Sequence, residues 1–229
     1  MKTQLSAQEY IERIEILFRK NGNPKRAEGA AAYMRNQFHF IGISTPNRRA
    51  LQKEFHSKYS YPPVEQLDYI VNALWSKPER ELHYFAMELI YLFRKSFTVD
   101  HITLFEYMIT TNSWWDTVDV VAPKLAGSLF LSQPKLGKKT ALRWMKNENL
   151  WLKRSALIFQ LNYKEKTNAD LLFRLILASN SHPDFFIRKA IGWSLRQYAR
   201  TNPKVVKQFL KEHGQSLSPL SLKEATKHL

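Results

Sequence analysis

The sequence has no cysteine, few glycines and no long apolar run, and each absence excludes a class of chemistry. Without cysteine the chain forms no disulfide, iron–sulfur cluster or thiolate metal site, which fits a reducing cytosol. Its seven glycines build neither a Gly-x-Gly nor a Gly-Lys-Ser/Thr pattern, so dinucleotide-binding and P-loop chemistry are not expected. No apolar stretch approaches the roughly 20 residues of a membrane span, and the N-terminus has no signal-peptide hydrophobic region. We therefore expect a cytoplasmic protein without a membrane partner. We also expect a monomer.

Two further scarcities are informative: histidine pairs are absent, and residues 120–211 contain few acidic residues. The seven histidines are scattered without a His-x-x-x-His pair, so we expect no metal site built on histidine spacing. Residues 120–211 hold 18 Lys and Arg against 4 acids, whereas the other 137 residues hold 17 against 16. Such a concentrated cationic surface attracts polyanions, and nucleic acid is the first candidate. The alternative is a basic, solvated face without a partner.

Proline next to a polar capping residue recurs along the chain and is typical of helix starts. Ser6 with Glu9 and Ser76 with Glu79 add capping-box spacing. Between these positions apolar residues recur with a period near 3.6, and no strict alternation predicts a strand. The pattern predicts helices over roughly 6–20, 24–38, 46–58, 63–75, 78–95, 100–111, 114–131, 134–146, 149–163, 168–180, 184–200 and 203–213, with a short one from 219.

A dozen short helices with a repeat near 40 residues predict an all-α, HEAT-like helical repeat solenoid. The basic window, residues 120–211, would then occupy the C-terminal half of the solenoid, and its concave face would bind a rod-like polyanion. A compact irregular bundle is the structural alternative. We see no linker, so the prediction is a single domain over residues 1–229.

The segment Asn112–Asp119 is the most unusual in composition. On a helix capped by Asn112 or Ser113, Trp115 and Asp119 are four residues apart and share a face. Asp119 borders the basic window, where a carboxylate among cations stays ionised. The alternative is a tryptophan packed in the core with Asp119 in a structural ion pair.

Two further helices combine cations with aromatic residues. Arg154 shares a face with Trp151 and Ile158 and needs an anionic partner if buried, either Asp119 or a ligand phosphate. A snorkelling arginine is the alternative. On the helix over 184–200, one face carries a set suited to a phosphate backbone: Lys189, Trp193, Arg196 and Arg200. Here the alternative is a solvated basic face with a partly buried tryptophan.

These segments, together with Ala32–Phe38 and with Ile41–Pro46 followed by Arg48-Arg49, resemble the AlkD-type DNA alkylation-repair glycosylases over nearly the whole chain. The resemblance implies a solenoid that wraps duplex DNA in its concave face. It also implies hydrolysis of the N-glycosidic bond of N3- and N7-alkylated purines in that duplex, without metal or cofactor. Asn162 is less basic than the family pattern suggests, which concerns contacts in the DNA groove.

The resemblance also implies roles for individual residues. Asp119 would be the catalytic carboxylate, and Trp115 and Trp193 would flank it against the deoxyribose. Arg154 would hold the adjacent phosphate, and Tyr33 would approach the lesion from the other side. Two other interpretations stay open. One is a non-catalytic DNA-binding or damage-recognition protein, and the other is a protein-interaction scaffold with an acidic partner.

Overall fold

The computed structural model describes residues 2–227 and 229, and these residues form helices and connecting turns. Within that part of the chain there is no strand, and only isolated bridges join Thr3 to Tyr59 and His39 to Glu79. The all-α prediction is therefore confirmed. The α-helices of the described residues are α1 (Ala7–Lys20), α2 (Pro24–Tyr33), α3 (Thr45–Lys58), α4 (Leu67–Trp75), α5 (Arg80–Leu92), α6 (His101–Thr110), α7 (Trp115–Val120), α8 (Gly127–Ser132), α9 (Pro134–Met145), α10 (Leu150–Ile158), α11 (Ala169–Leu177), α12 (Phe185–Ala199), α13 (Pro203–His213) and α14 (Pro219–Ala225).

Most helix starts follow the predicted capping chemistry. At α1 the Ser6 side chain accepts from the Glu9 amide, and the Glu9 carboxylate accepts from the Ser6 amide at 2.9 Å, so this capping box is confirmed. Four further helices begin with proline in the first turn and a side-chain cap just before it, from Asn23, Ser44, Asn202 and Ser218. These caps satisfy amides that have no partner inside the helix.

The second predicted capping box, between Ser76 and Glu79, is wrong. Ser76 instead ends α4, and its hydroxyl donates to the Ala73 carbonyl at 2.9 Å. The first amide of α5, that of Arg80, donates to the His39 carbonyl at 2.9 Å. A backbone bridge from a distant segment therefore takes the place of the predicted side-chain cap.

Two predicted helices are interrupted, and a third, expected over 149–163, ends at Ile158. The helix expected over 24–38 ends at Tyr33, because Arg35 and Asn36 adopt left-handed φ values of 58° and 57°. The helix expected over 114–131 contains a π-helical segment, Val121–Ala126, between α7 and α8. Pro123 lies in that segment, where its ring cannot fit a regular α-turn and its missing amide cannot donate. Irregular turns of this kind often occur next to functional sites.

The helices pack into two compact units, residues 1–96 and residues 97–229. In the first unit α1 and α5 both pack on α4, around fully buried side chains such as Ile14, Trp75 and Leu82. In the second unit α10 packs against α6, α9 and α12, and α12 packs most extensively against α14. No helix in the described residues is long and apolar enough to cross a membrane. The single domain over 1–229 stays a prediction.

The contact between α12 and α14 depends on Gly192. A Cβ atom at this position would lie 2.5 Å from the Cβ of Glu224 and 2.5 Å from the Ser221 carbonyl oxygen. The Ser221 hydroxyl also donates to the Arg188 carbonyl at 2.8 Å. Because only glycine allows this approach, α14 lies close enough to place Glu224 directly against α12.

Candidate functional site

A cleft of about 250 Å³ lies in the second unit and is lined by residues of α7, α10, α12 and α14. Of the eight side chains that the sequence singled out, six line it: Trp115, Asp119, Arg154, Lys189, Trp193 and Arg196. Phe185, Phe186 and Glu224 complete the lining, and the sequence had given none of them a role. The fold thus brings together residues from segments more than 70 positions apart, while their individual roles stay predictions.

At the floor of the cleft Arg154 and Asp119 form a bidentate ion pair. Nε of Arg154 donates to Oδ1 of Asp119 and Nη2 donates to Oδ2, both at 2.7 Å. Nη1 of Arg154 donates to the Phe186 carbonyl at 2.5 Å. The side chains of Arg154 and Asp119 are only 4% and 14% exposed. Of the two partners that the sequence left open for Arg154, Asp119 is the one that the structure shows.

Burial and the ion pair have opposite effects on Asp119. Burial is the larger cause and raises the pKa of the Asp119 carboxyl above its usual value, whereas the Arg154 hydrogen bonds and charge lower it. Arginine remains protonated at any physiological pH. The fixed cation therefore opposes protonation of the buried carboxyl, and the pair presents an oriented carboxylate to the cleft.

Aromatic rings surround this ion pair. The guanidinium carbon of Arg154 lies 5.8 Å from the ring centroid of Trp193 and 5.9 Å from that of Phe186. Trp115 lies one helical turn before Asp119 on α7, and both line the cleft. Trp115 and Trp193 are half-buried, and both line the cleft.

Trp114, the residue before Trp115, packs in a cluster of half-buried aromatic rings. Its ring packs against Trp151 and Phe186 at centroid distances of 5.7 and 5.3 Å. Trp151 and Phe186 contact each other at 5.0 Å. This cluster joins the starts of α7, α10 and α12, where Trp114, Trp151 and Phe186 lie.

Glu224, on α14, forms ion pairs with cations that line or border the cleft. Lys189 Nζ donates to Oε1 of Glu224 at 2.8 Å, and Arg196 Nη1 donates to Oε2 at 2.9 Å. Lys227 Nζ also donates to Oε1, at 2.6 Å. The hydrogen bond from Lys189 is the largest of the effects that lower the pKa of Glu224 to about 2. Glu224 was missed because it lies outside every motif considered, 28 residues or more from its partners on α12.

Two predicted site residues lie elsewhere. Arg200 is exposed just after the last residue of α12 and is not among the described residues that line the cleft. Tyr33 lies in the first unit, at the end of α2, and is 71% exposed. It lines a hollow of about 310 Å³ with Arg26 and Tyr84, among others. The contributions of Arg200 and Tyr33 to the site stay predictions.

Asn162, which departs from the basic residue expected there, has a structural contact. Its Nδ2 donates to the Pro123 carbonyl at 3.3 Å, and the hydroxyl of the next residue, Tyr163, donates to the Gly127 carbonyl at 2.7 Å. Both bonds satisfy carbonyls of the π-helical segment or the residue that follows it. Among the described residues no group of three or more His, Asp or Glu could hold a metal ion.

Comparisons with known proteins agree with the fold described above. A solved structure described as a predicted DNA alkylation repair enzyme from Enterococcus faecalis is 38% identical over 91% of this chain and 96% of its own, with a TM-score of 0.83. AlkD2 and smu.31, both from Streptococcus mutans, have TM-scores of 0.65 at 17% and 16% identity, each over 98% of this chain and over 99% and 100% of their own. These likenesses confirm the predicted AlkD-like helical-repeat fold class. A comparison with curated proteins found no match.

The family assignment rests on the length of the match as well as on the fold. The family model described as DNA alkylation repair enzyme matches residues 14–229, which include every residue of the cleft. Together with the shared fold and the 38% identity to the Enterococcus structure, this match shows that the chain belongs to the DNA alkylation repair enzyme family.

Proposed function

We propose that the protein is a DNA glycosylase that excises N3- and N7-alkylated purines from duplex DNA by hydrolysing the N-glycosidic bond. The observation that carries the proposal is one oriented carboxylate, Asp119, in a cleft that it shares with two half-buried tryptophans, Trp115 and Trp193. The surrounding cations suit a DNA backbone. Membership of the DNA alkylation repair family supports DNA as the substrate.

The chemistry of the lesion requires only one catalytic acid, and Glu224, the other carboxylate that lines the cleft, is paired with three cations. A purine alkylated at N3 or N7 carries a positive charge and leaves without being protonated by the enzyme. The remaining task is to stabilise the cation that develops on the deoxyribose and to admit a water molecule. A fixed carboxylate stabilises that charge electrostatically, and the faces of Trp115 and Trp193 attract the same cation. A second carboxylate, as used on sugars with neutral leaving groups, is not required.

Arg154 contributes to this proposal by holding Asp119. Its two parallel hydrogen bonds occupy one lone pair on each carboxylate oxygen and fix the plane of the carboxyl group. The oxygens keep lone pairs for a water molecule. Because the pair is preorganised and largely shielded from solvent, it does not have to reorient as the sugar cation forms.

Duplex binding is assigned to the cations on α12. Lys189 and Arg196 line the cleft, and we assign DNA phosphates to them, with Arg200 continuing the same helix. We assign the phosphate next to the lesion to Arg154, beside its contact with Asp119, and a contact near the lesion to Tyr33. Phosphate contacts position a protein on DNA without reading its sequence, so little sequence preference is expected. The protein would act as a cytoplasmic monomer without metal or cofactor.

The test is incubation with duplex DNA that carries a single N7-methylguanine, followed by scoring of abasic sites. Release of the alkylated base with formation of an abasic site supports the proposal. Tight binding of the duplex without any base release contradicts it and favours a non-catalytic damage-recognition protein. Failure to bind duplex DNA at all contradicts both and favours a protein-interaction scaffold.

A further inference from the structure

Glu224 is the acidic side chain with the most cationic partners around the cleft. It is nearly buried, at 7% side-chain exposure, and accepts hydrogen bonds from Lys189, Arg196 and Lys227. Each carboxylate oxygen binds a different residue of α12: Oε1 accepts from Lys189 and Oε2 accepts from Arg196. Lys189 and Arg196 are seven residues apart on α12, and one carboxylate from α14 thus holds both.

Glu224 uses only part of the hydrogen-bonding capacity of each cation. An ammonium group has three donors and a guanidinium has five. Glu224 accepts one from Lys189 and one from Arg196, whose side chains remain 35% and 22% exposed along the cleft. Each cation is therefore held at one donor and has others left to reach an anion in the cleft.

We propose that Glu224 is a positioning residue that orients Lys189 and Arg196 toward a backbone phosphate of bound DNA. This inference rests on the proposed function, since it requires that the cleft binds DNA. Long side chains lose conformational freedom when they bind, and a side chain that is already ordered loses less. Glu224 orders both cations before DNA arrives.

The placement of Glu224 is itself rigid. The close approach at Gly192 and the hydrogen bond from Ser221 to the Arg188 carbonyl hold α14 against α12. Lys227 adds a third cation, so the cluster of Glu224 with Lys189, Arg196 and Lys227 keeps a net positive charge. A phosphate would therefore meet a fixed cationic surface and not a neutral ion pair.

Positioning and simple charge repulsion predict opposite results when Glu224 is neutralised. If Glu224 acted only through its charge, Glu224→Gln would remove a repulsive group and tighten the binding of DNA. If it orders the two cations, the same substitution should weaken binding even though it makes the protein more positive. The sign of the change therefore distinguishes the two.

The experiment measures the affinity of the full chain for an undamaged duplex at several salt concentrations. Glu212→Gln is the matched control, because Glu212 lies on α13, its side chain is 53% exposed and its described partners are Gln208 and His213 of the same helix. We expect Glu224→Gln to bind about fivefold or more weakly, the scale of ordering two long side chains. We expect its log–log salt slope to become shallower by about 0.9 for each phosphate that the variant no longer neutralises. Glu212→Gln should bind at least as tightly as the wild type.

A double variant separates positioning from a general loss of structure. If Glu224 acts partly through Lys189, adding Glu224→Gln to Lys189→Gln should weaken binding less than it does in the wild-type background. Thermal unfolding checks that each variant is folded. If Glu224→Gln does not fold, Glu224→Asp replaces it, since the shorter side chain keeps the charge but cannot span both cations. Unchanged or tighter binding by the folded variant overturns the inference.

Failure of this inference is distinguishable from failure of the proposed function. If the wild type binds and excises, and Glu224→Gln binds as tightly as the Glu212→Gln control, only the role of Glu224 is contradicted. Wild-type protein that binds duplex but excises nothing contradicts the glycosylase proposal and leaves the binding comparison valid. Wild-type protein that does not bind duplex DNA contradicts both.

Discussion

Arg154 meets Asp119 edge to edge, with two parallel hydrogen bonds of 2.7 Å between side chains that lie 35 residues apart. Both groups are largely buried, and the guanidinium is further held by the Phe186 carbonyl. Because each charge is the main partner of the other, a substitution at either position has a structural consequence as well as a chemical one. Experiments on this pair therefore need separate measurements of stability, binding and excision.

Arg154→Ala should destabilise the protein strongly. It leaves the Asp119 carboxylate buried without its cation, a loss of about 3–5 kcal/mol for comparable buried pairs. Chemical denaturation measures the free energy of unfolding. Lys77→Ala is the comparison, since it removes a cation whose side chain is 35% exposed and whose partner is Glu15. Equal effects of the two substitutions would contradict a special role for the buried pair.

Asp119→Asn should abolish most excision of N7-methylguanine while the folded variant still binds duplex DNA. The substitution removes the charge that opposes the developing sugar cation, so the rate should fall about 100-fold or more. Single-turnover base release from folded, DNA-saturated protein is the measurement. Asp116→Asn is the control, because Asp116 is not among the residues that line the cleft. If Asp119→Asn excises N7-methylguanine at the wild-type rate, another group catalyses the reaction.

Duplex affinity should fall steeply with salt, with a log–log slope of about −0.9 for each phosphate neutralised. Lys189→Gln and Arg196→Gln should each make the slope shallower by about that amount, because both cations line the cleft. Lys207→Gln removes an equal charge from an exposed position on α13 outside the cleft lining and should change the slope less. Equal slopes for all three variants would mean that net charge alone drives binding.

Stability should depend on Glu224 at acidic pH. The pKa of Glu224 is lowered from 4.5 to about 2 in the folded protein, so the contribution of the ionised group is fully present above pH 4.5 and is lost as pH falls toward 2. The difference in unfolding free energy between wild type and Glu224→Gln should therefore shrink over this range. Denaturation curves at several pH values measure it, and a constant difference would contradict the ion-pair cluster.

Gly192→Ala should destabilise the protein and displace Glu224, which lines the cleft. The new methyl group would lie 2.5 Å from both Glu224 Cβ and the Ser221 carbonyl oxygen, so α14 has to move. Gly29→Ala is the matched control, because a Cβ there has no neighbour within 4 Å and Gly29 lies inside α2. The control should be neutral or stabilise by about 0.5–1 kcal/mol. Thermal unfolding of both variants checks this, and equal melting temperatures would contradict the close helix approach.

Much of the fold could be predicted because helix signals are local. The apolar period of 3.6 and the capping residues were sufficient to predict every α-helix of the described residues, although 114–131 was expected as one uninterrupted helix. The errors at Ser76 and Tyr33 arose where the backbone of another segment or two left-handed residues decided the boundary. Local propensity carries no information about a bridge to the His39 carbonyl.

For the candidate site as well, some features follow from local sequence and others depend on tertiary structure. The sequence by itself determined which residues share a face within one helix, Trp115 with Asp119 and Lys189 with Trp193 and Arg196, because the helical period sets those spacings. Tertiary structure alone decided that Asp119 is the partner of Arg154 and that Trp114 packs against Trp151 and Phe186. It also decided that Glu224 holds Lys189 and Arg196. The reason is physical: side chains 28 to 35 residues apart meet only where helices pack, and packing depends on shape, as at Gly192, and not on any local repeat.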